Sequence, residues 1–146
     1  MSYQSNALNS YRETSIKTAS QGSLILMLYD EAIKQISAAL ELMVDEKIKP
    51  SNIEKINNSI VKVQEIVTEL MASLDLEKGG EIATNLLSIY SFFNQQLLEA
   101  NIKKETKPLI DVKEMMEELR QAWQQVVNTA ARPQQAEVTT GIDIAR

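Results

Sequence analysis

Residues 51–74, SNIEKINNSIVKVQEIVTELMASL, carry the pattern that decides the fold. Ile53, Ile56, Ile60, Val63, Val67, Leu70 and Leu74 recur at spacings of three and four. Side chains so spaced lie one above the other on a single face of an α-helix. Pro50 precedes the stretch, and Ser51 is a suitable N-cap, so a helix is expected over about 52–74.

The same periodicity marks three more segments. One runs from about Gln21 to Val44 behind a Ser20 N-cap, with Leu24, Leu28, Ala32, Ile36, Ala39, Leu40 and Met43 as its stripe. Another follows Gly79-Gly80 and ends near Ala100, with Ile82, Leu86, Ile89, Phe93, Leu97 and Ala100. Asn101 is its expected C-cap, and Lys103 and Lys104 sit where cations favour a helix C-terminus. The last starts near Pro108, a good first-turn residue, with Leu109, Val112, Met116, Leu119, Trp123 and Val126. Each helix has about 20–24 residues and a length of roughly 30–36 Å. Links of about five to seven residues favour antiparallel neighbours. The expected fold is all-α: an antiparallel up-down four-helix bundle over residues 20–128. Residues 1–19 are expected to pack as an N-terminal cap, and residues 129–146 to form a flexible tail.

Composition supports one domain and removes several chemistries. The chain has 146 residues, enough to bury roughly two-thirds of its unfolded surface. Only 4 Gly and 3 Pro occur, too little turn chemistry for a many-stranded sandwich or barrel. With no Cys and no His, a disulfide framework, a Cys/His zinc site and a histidine triad are all impossible. The net charge of −5 and the absence of any Lys/Arg run beyond two disfavour nucleic acid as a partner. The leading residues MSYQSNALNSYRETS have no basic or apolar region of a signal peptide. The longest apolar run, Leu24 to Tyr29, is too short for membrane insertion. A cytoplasmic location is therefore expected. Carboxylate pairs such as Glu117-Glu118 and Asp45-Glu46 read as solvated surface charge, and no enzymatic activity, metal or cofactor is expected.

Two helices have more apolar residues than one stripe can use. Leu24-Ile25-Leu26-Met27-Leu28-Tyr29 sweep about 500° of helical arc, so they cannot all face one core. A second line, Ala83, Leu87, Tyr90 and Leu98, runs beside the main stripe of the third helix. Three readings are open: central helices with neighbours on both sides, a contact between copies, or a partner site. Soft methionines, Met27, Met43, Met71, Met115 and Met116, suit adaptable contacts. Leu8 and Tyr11, three apart, could lie on one face and fold back over the surplus.

Residues 18–36, TASQGSLILMLYDEAIKQI, resemble the opening helix of the flagellar secretion chaperones, the FliS family. Thr18, Ala19, Ser20, Leu24, Met27, Leu28, Tyr29, Asp30 and Ala32 match its pattern; Gln21 and Glu31 replace the usual Pro and Gly. Residues 77–101, EKGGEIATNLLSIYSFFNQQLLEAN, resemble its third helix, and Glu118, Leu119, Ala122 and Trp123 fit its last. The resemblance covers residues 6 to about 127. It implies a helical bundle without catalysis or cofactor that binds the disordered C-terminal segment of flagellin and prevents premature polymerisation before export. The export gate is then a second partner while client is bound. The doubled stripes supply the expected groove residues Leu24, Met27, Leu28, Ala83, Leu87, Tyr90 and Leu98, and the resemblance implies Leu8 and Tyr11 as the cap. The alternative is a helical adaptor for another amphipathic client. The sequence leaves monomer and dimer both open.

Overall fold

Helices α1 (Gln21–Glu41), α2 (Pro50–Ala72), α3 (Gly80–Lys103) and α4 (Thr106–Ala130) follow one another in the computed structural model, which describes residues 21–130. The expected cap residues Leu8 and Tyr11, the Ser20 N-cap and residues 131–146 lie outside the described residues. Each helix packs on the one before and the one after, and α1 closes the ring against α4. Cross-helix bonds give the direction. Asn57 of α2 meets Asn101 of α3, and Thr68 meets Asn94, so one number rises as the other falls. Neighbours are therefore antiparallel, and the all-α up-down bundle is observed. We call the end holding Gln21, Ala72, Gly80 and Ala130 the lower end.

The helix boundaries shift for local reasons. Helix α2 starts at Pro50, with Lys49 extended ahead of it (φ −64, ψ 135) and making no side-chain cap bond. Ser51 is thus inside the helix and not its cap; the fixed φ and missing N–H of Pro50 suit the first turn. The first helix ends at Glu41, short of Val44, and the next backbone turn bonds Leu42 and Met43 back to Ala39 and Leu40. Helix α3 overruns its expected C-cap, Asn101, to Lys103. Lys104 ends it in the left-handed region (φ 55, ψ 47). Such a backbone is costly for a residue with a Cβ. The Lys104 Nζ offsets this by donating to the Asn101 carbonyl and, at 2.7 Å, to Asn101 Oδ1. The link to α4 shrinks to residues 104–105.

The turn between α2 and α3 is built on Asp75. Its Oδ1 accepts the backbone N–H of Glu77 (3.1 Å) and of Lys78 (3.0 Å), while its carbonyl accepts Gly79 N–H at 2.7 Å. A Cβ at Gly79 would lie 2.5 Å from Ala83 Cβ and 2.8 Å from the Asp75 carbonyl, so no larger residue fits there. Gly80 opens α3 at φ +55, a conformation that glycine adopts freely.

Inside, Ala32, Ile36 and Ala39 of α1 face Ile56, Ile60, Val63 and Leu70 of α2, Phe93 and Leu97 of α3, and Leu109 and Met116 of α4 in one apolar cluster. Two expected core residues lie outside it: Ile53, in the first turn of α2, and Ile82, near the start of α3, are both exposed. Ile66, off the expected stripe of α2, is buried.

Gly79→Ala is expected to destabilise the fold by about 1–3 kcal/mol through overpacking at Ala83. Gly80→Ala has open space and is expected to cost about 1 kcal/mol through its backbone alone. Urea unfolding of the two variants checks the order; an equal loss would remove the steric account of Gly79.

Candidate functional site

The buried line of α3 is Ala83, Leu86, Tyr90, Phe93, Leu97 and Ala100, spaced three and four throughout. Ala83 and Tyr90, read from the sequence as surplus, therefore face the interior, and Ile82 and Ile89 are turned toward α4 instead. The cause is at the centre of the bundle. The Tyr90 hydroxyl lies 2.7 Å from the Tyr29 hydroxyl of α1, across the diagonal of the ring. Their rings meet edge to face at 6.5 Å, and Phe93 packs 6.2 Å from Tyr90. A buried hydroxyl without a partner is expensive, so the pair fixes the rotation of both helices. Burial is the main reason both phenols are pushed above the ordinary tyrosine value; the Trp123 side chain pulls each the other way.

The expected groove residues do not gather into one surface. Leu24, Leu28, Ala83 and Tyr90 are buried, and Leu87 is half-buried. Met27 (44 % exposed) and Leu98 (52 % exposed) face solvent. These two stand on diagonally opposed helices, Met27 near the lower end and Leu98 toward the upper. Of the six-residue apolar run, Met27 alone is classed as exposed, because α1 has a neighbour on each side.

An apolar cleft lies elsewhere, at the lower half of the α3/α4 seam. Ile82 and Leu86 of α3 line it with Leu119, Ala122, Trp123 and Val126 of α4, around a volume of about 150 Å³. A void of that scale admits a benzene ring, hence one aromatic or branched aliphatic side chain. The faces that line it continue upward through Ile89 and Phe92 (41 % exposed) on α3 and Met115 on α4, all at helical spacing. All six lining residues are legible as helix stripe or family match, and the five on the stripes read as core. Their signal was the tie between two possible stripes on α3, 82-86-89 and 83-86-90.

The seams differ in the polar contacts that cross them. The α1/α4 seam carries a forked ion pair, Arg120 to Asp30, with Nη2 to Oδ2 at 3.3 Å. The α2/α3 seam carries Asn101 to Asn57 at 2.7 Å and Asn94 to Thr68 at 3.3 Å. Across the α3/α4 seam the polar contact is that of the Trp123 side chain with the buried Tyr90 hydroxyl, and these two helices pack least extensively of the four neighbouring pairs. A second hollow, about 380 Å³, lies at the upper end between the two short links. Asp45, Glu46, Lys104, Glu105 and Lys107 line it, and its lysines are already held by Asn101 and Asp111. Among the described residues there is no group of acidic side chains able to hold a metal, and no helix is long and apolar enough to cross a membrane.

The described residues form an antiparallel four-helix bundle with an apolar cleft between its last two helices. The family model described as flagellar protein FliS matches residues 4–130, and the chain belongs to that family of flagellar secretion chaperones. It is 30% identical over 124 residues to the flagellar secretion chaperone FliS of Bacillus subtilis, covering 85% of this chain and 88% of that one. Against the Salmonella typhimurium protein of the same name it is 30% identical over 128 residues, 85% and 92% of the two chains. The Campylobacter jejuni protein is 31% identical over 122 residues, 84% and 91%.

Tyr29→Phe or Tyr90→Phe leaves one buried hydroxyl unpaired and is expected to cost about 1–3 kcal/mol. The double variant is expected to cost less than the sum, which a double-mutant cycle in urea measures. Unfolded tyrosine ionises near pH 10, whereas the folded pair resists ionisation, so stability falls as pH rises past about 10. In the double variant that alkaline loss is expected to shrink.

Proposed function

We propose that this chain is a cytoplasmic export chaperone for flagellin, and that the α3/α4 seam holds part of flagellin's disordered C-terminal segment until secretion. The observation that supports this is the apolar cleft beside Trp123, between the two neighbouring helices that pack least extensively. A segment that otherwise polymerises through an amphipathic helix needs an apolar competitor, and its side chains at i, i+3, i+4 and i+7 suit a groove between two helices. Burying about 1,000 Å² per partner would give roughly 25 kcal/mol gross. Ordering the client and losing its free motion offset most of that, leaving a reversible complex suited to hand-over.

The sequence-derived contact set is kept as part of the same reading. Met27, Leu87 and Leu98 are accessible for a client that wraps around the bundle, in keeping with an extended segment. Leu24, Leu28, Ala83 and Tyr90 act through the shape of the interior. Residues 1–19 cover part of the client surface in the free state through Leu8 and Tyr11. The export gate reads the loaded complex.

Ile82→Glu and Ala122→Glu place a charge in the cleft at accessible positions. Each is expected to weaken binding of flagellin's C-terminal segment about 10- to 100-fold in titration calorimetry, with little change in melting temperature. Flagellin lacking that segment is expected not to bind; equal binding would sink the proposal. Tyr90→Ala, by contrast, is expected to cost about 3–5 kcal/mol of stability and so reports the core rather than the client site.

A further inference from the structure

We propose that Tyr29 and Tyr90 are positioning residues for the client: their hydroxyls orient the Trp123 indole and so set the shape of the α3/α4 cleft, although both tyrosines are buried inside the bundle. The inference rests on the client reading of that cleft and adds which interior groups shape it. Depth carries it first. Tyr29 lies eight residues in from the lower end of α1, Tyr90 ten from that of α3, and Trp123 seven from that of α4. At the rise of an α-helix all three fall in one layer, about 10–15 Å above that end. Within the layer the two hydroxyls are 2.7 Å apart, and the Trp123 side chain hydrogen-bonds to both. Trp123 is only 9 % exposed, and the same residue lines the cleft. The indole thus has one edge in the buried polar cluster and its body in the wall of the client site.

Donor chemistry carries it further. An indole N–H donates and never accepts, whereas each tyrosine hydroxyl does both. The other five lining residues, Ile82, Leu86, Leu119, Ala122 and Val126, have apolar side chains and offer Trp123 no acceptor. The hydroxyl oxygens therefore fix where the N–H points, because a buried donor turned away from them goes unpaired. An apolar side chain in that place could change rotamer at no hydrogen-bond cost; the indole cannot. It is also the largest of the lining groups, so its orientation decides how much of the void of about 150 Å³ is open. Removing both hydroxyls frees the N–H to turn toward water at the cleft mouth. That puts a polar edge where the client's apolar side chains must sit.

Trp123 is the sole tryptophan, so its indole N–H resonance is unambiguous. In the full chain, Tyr29→Phe with Tyr90→Phe is expected to speed exchange of that N–H with solvent about tenfold. The same variant is expected to weaken binding of the flagellin C-terminal segment about three- to tenfold. Either single variant keeps one acceptor and is expected to change both readouts by less than about twofold. Ile56→Val trims the core near the upper end of α2 and is expected to change neither. In a Trp123→Phe background, which has no N–H to orient, the tyrosine pair is expected to lose its effect on affinity.

An exchange rate unchanged in the double variant overturns the inference, and persistent flagellin binding then leaves the client reading standing alone. An affinity loss matched by Ile56→Val, or kept in the Trp123→Phe background, overturns it too. So does a parent N–H that already exchanges like a free indole, whether or not any variant folds. If the flagellin segment fails to bind the parent while the double variant still speeds the exchange, the orienting role of the tyrosines is supported and the client reading falls.

Discussion

The contact between the Tyr29 and Tyr90 hydroxyls is the constraint on which the rest of the bundle depends. Apolar side chains are interchangeable around a helix, and α1 and α3 have enough of them to bury more than one face. Two hydroxyls in an apolar interior are not interchangeable, because each needs the other. Their meeting across the diagonal sets the rotation of α1 and α3 together. It also decides which aliphatic residues are left for the perimeter.

The fold was largely legible in the sequence. The four stripes, the Gly79-Gly80 break and Pro108 yielded four helices and their neighbours, because periodicity reports an element's inner face directly. The site was legible only in part. On α3, Ile82-Leu86-Ile89 and Ala83-Leu86-Tyr90 are equally good helical lines, and periodicity alone does not choose between them. The choice depends on a hydroxyl partner sixty-one positions away, which no local pattern contains. Ala83 and Tyr90, read as surplus, therefore lie inside, and Ile82, read as core, is exposed. The Asp75 turn and the Lys104 cap were missed for a related reason. Both depend on side-chain bonds to nearby backbone that other residues at those positions could equally supply.

The seams divide the labour of the bundle. Amide and hydroxyl pairs tie α2 to α3 at two heights, which fixes their alignment, and the Asp30–Arg120 fork ties α1 to α4. That fork is exposed enough to be worth at most about 1 kcal/mol, so its role is alignment more than strength. Between α3 and α4 the contact is mainly apolar, and its polar element is the Trp123 side chain at the Tyr90 hydroxyl. Apolar contact has no preferred direction and can be exchanged for another apolar surface at small cost, whereas a clasped seam would have to break a bond to admit one.

The connectivity of the ring has a temporal meaning. Domains emerge from the ribosome with their leading end first, and here the cleft is made entirely by the last two helices of the bundle. Ile82 and Leu86 have no opposite wall until Trp123 and Val126 have been translated. The Asp30–Arg120 fork, which joins the first helix to the last, forms only then as well. A molecule without its last helix has no α3/α4 seam, so the apolar cleft comes into being with the completed bundle and not before it.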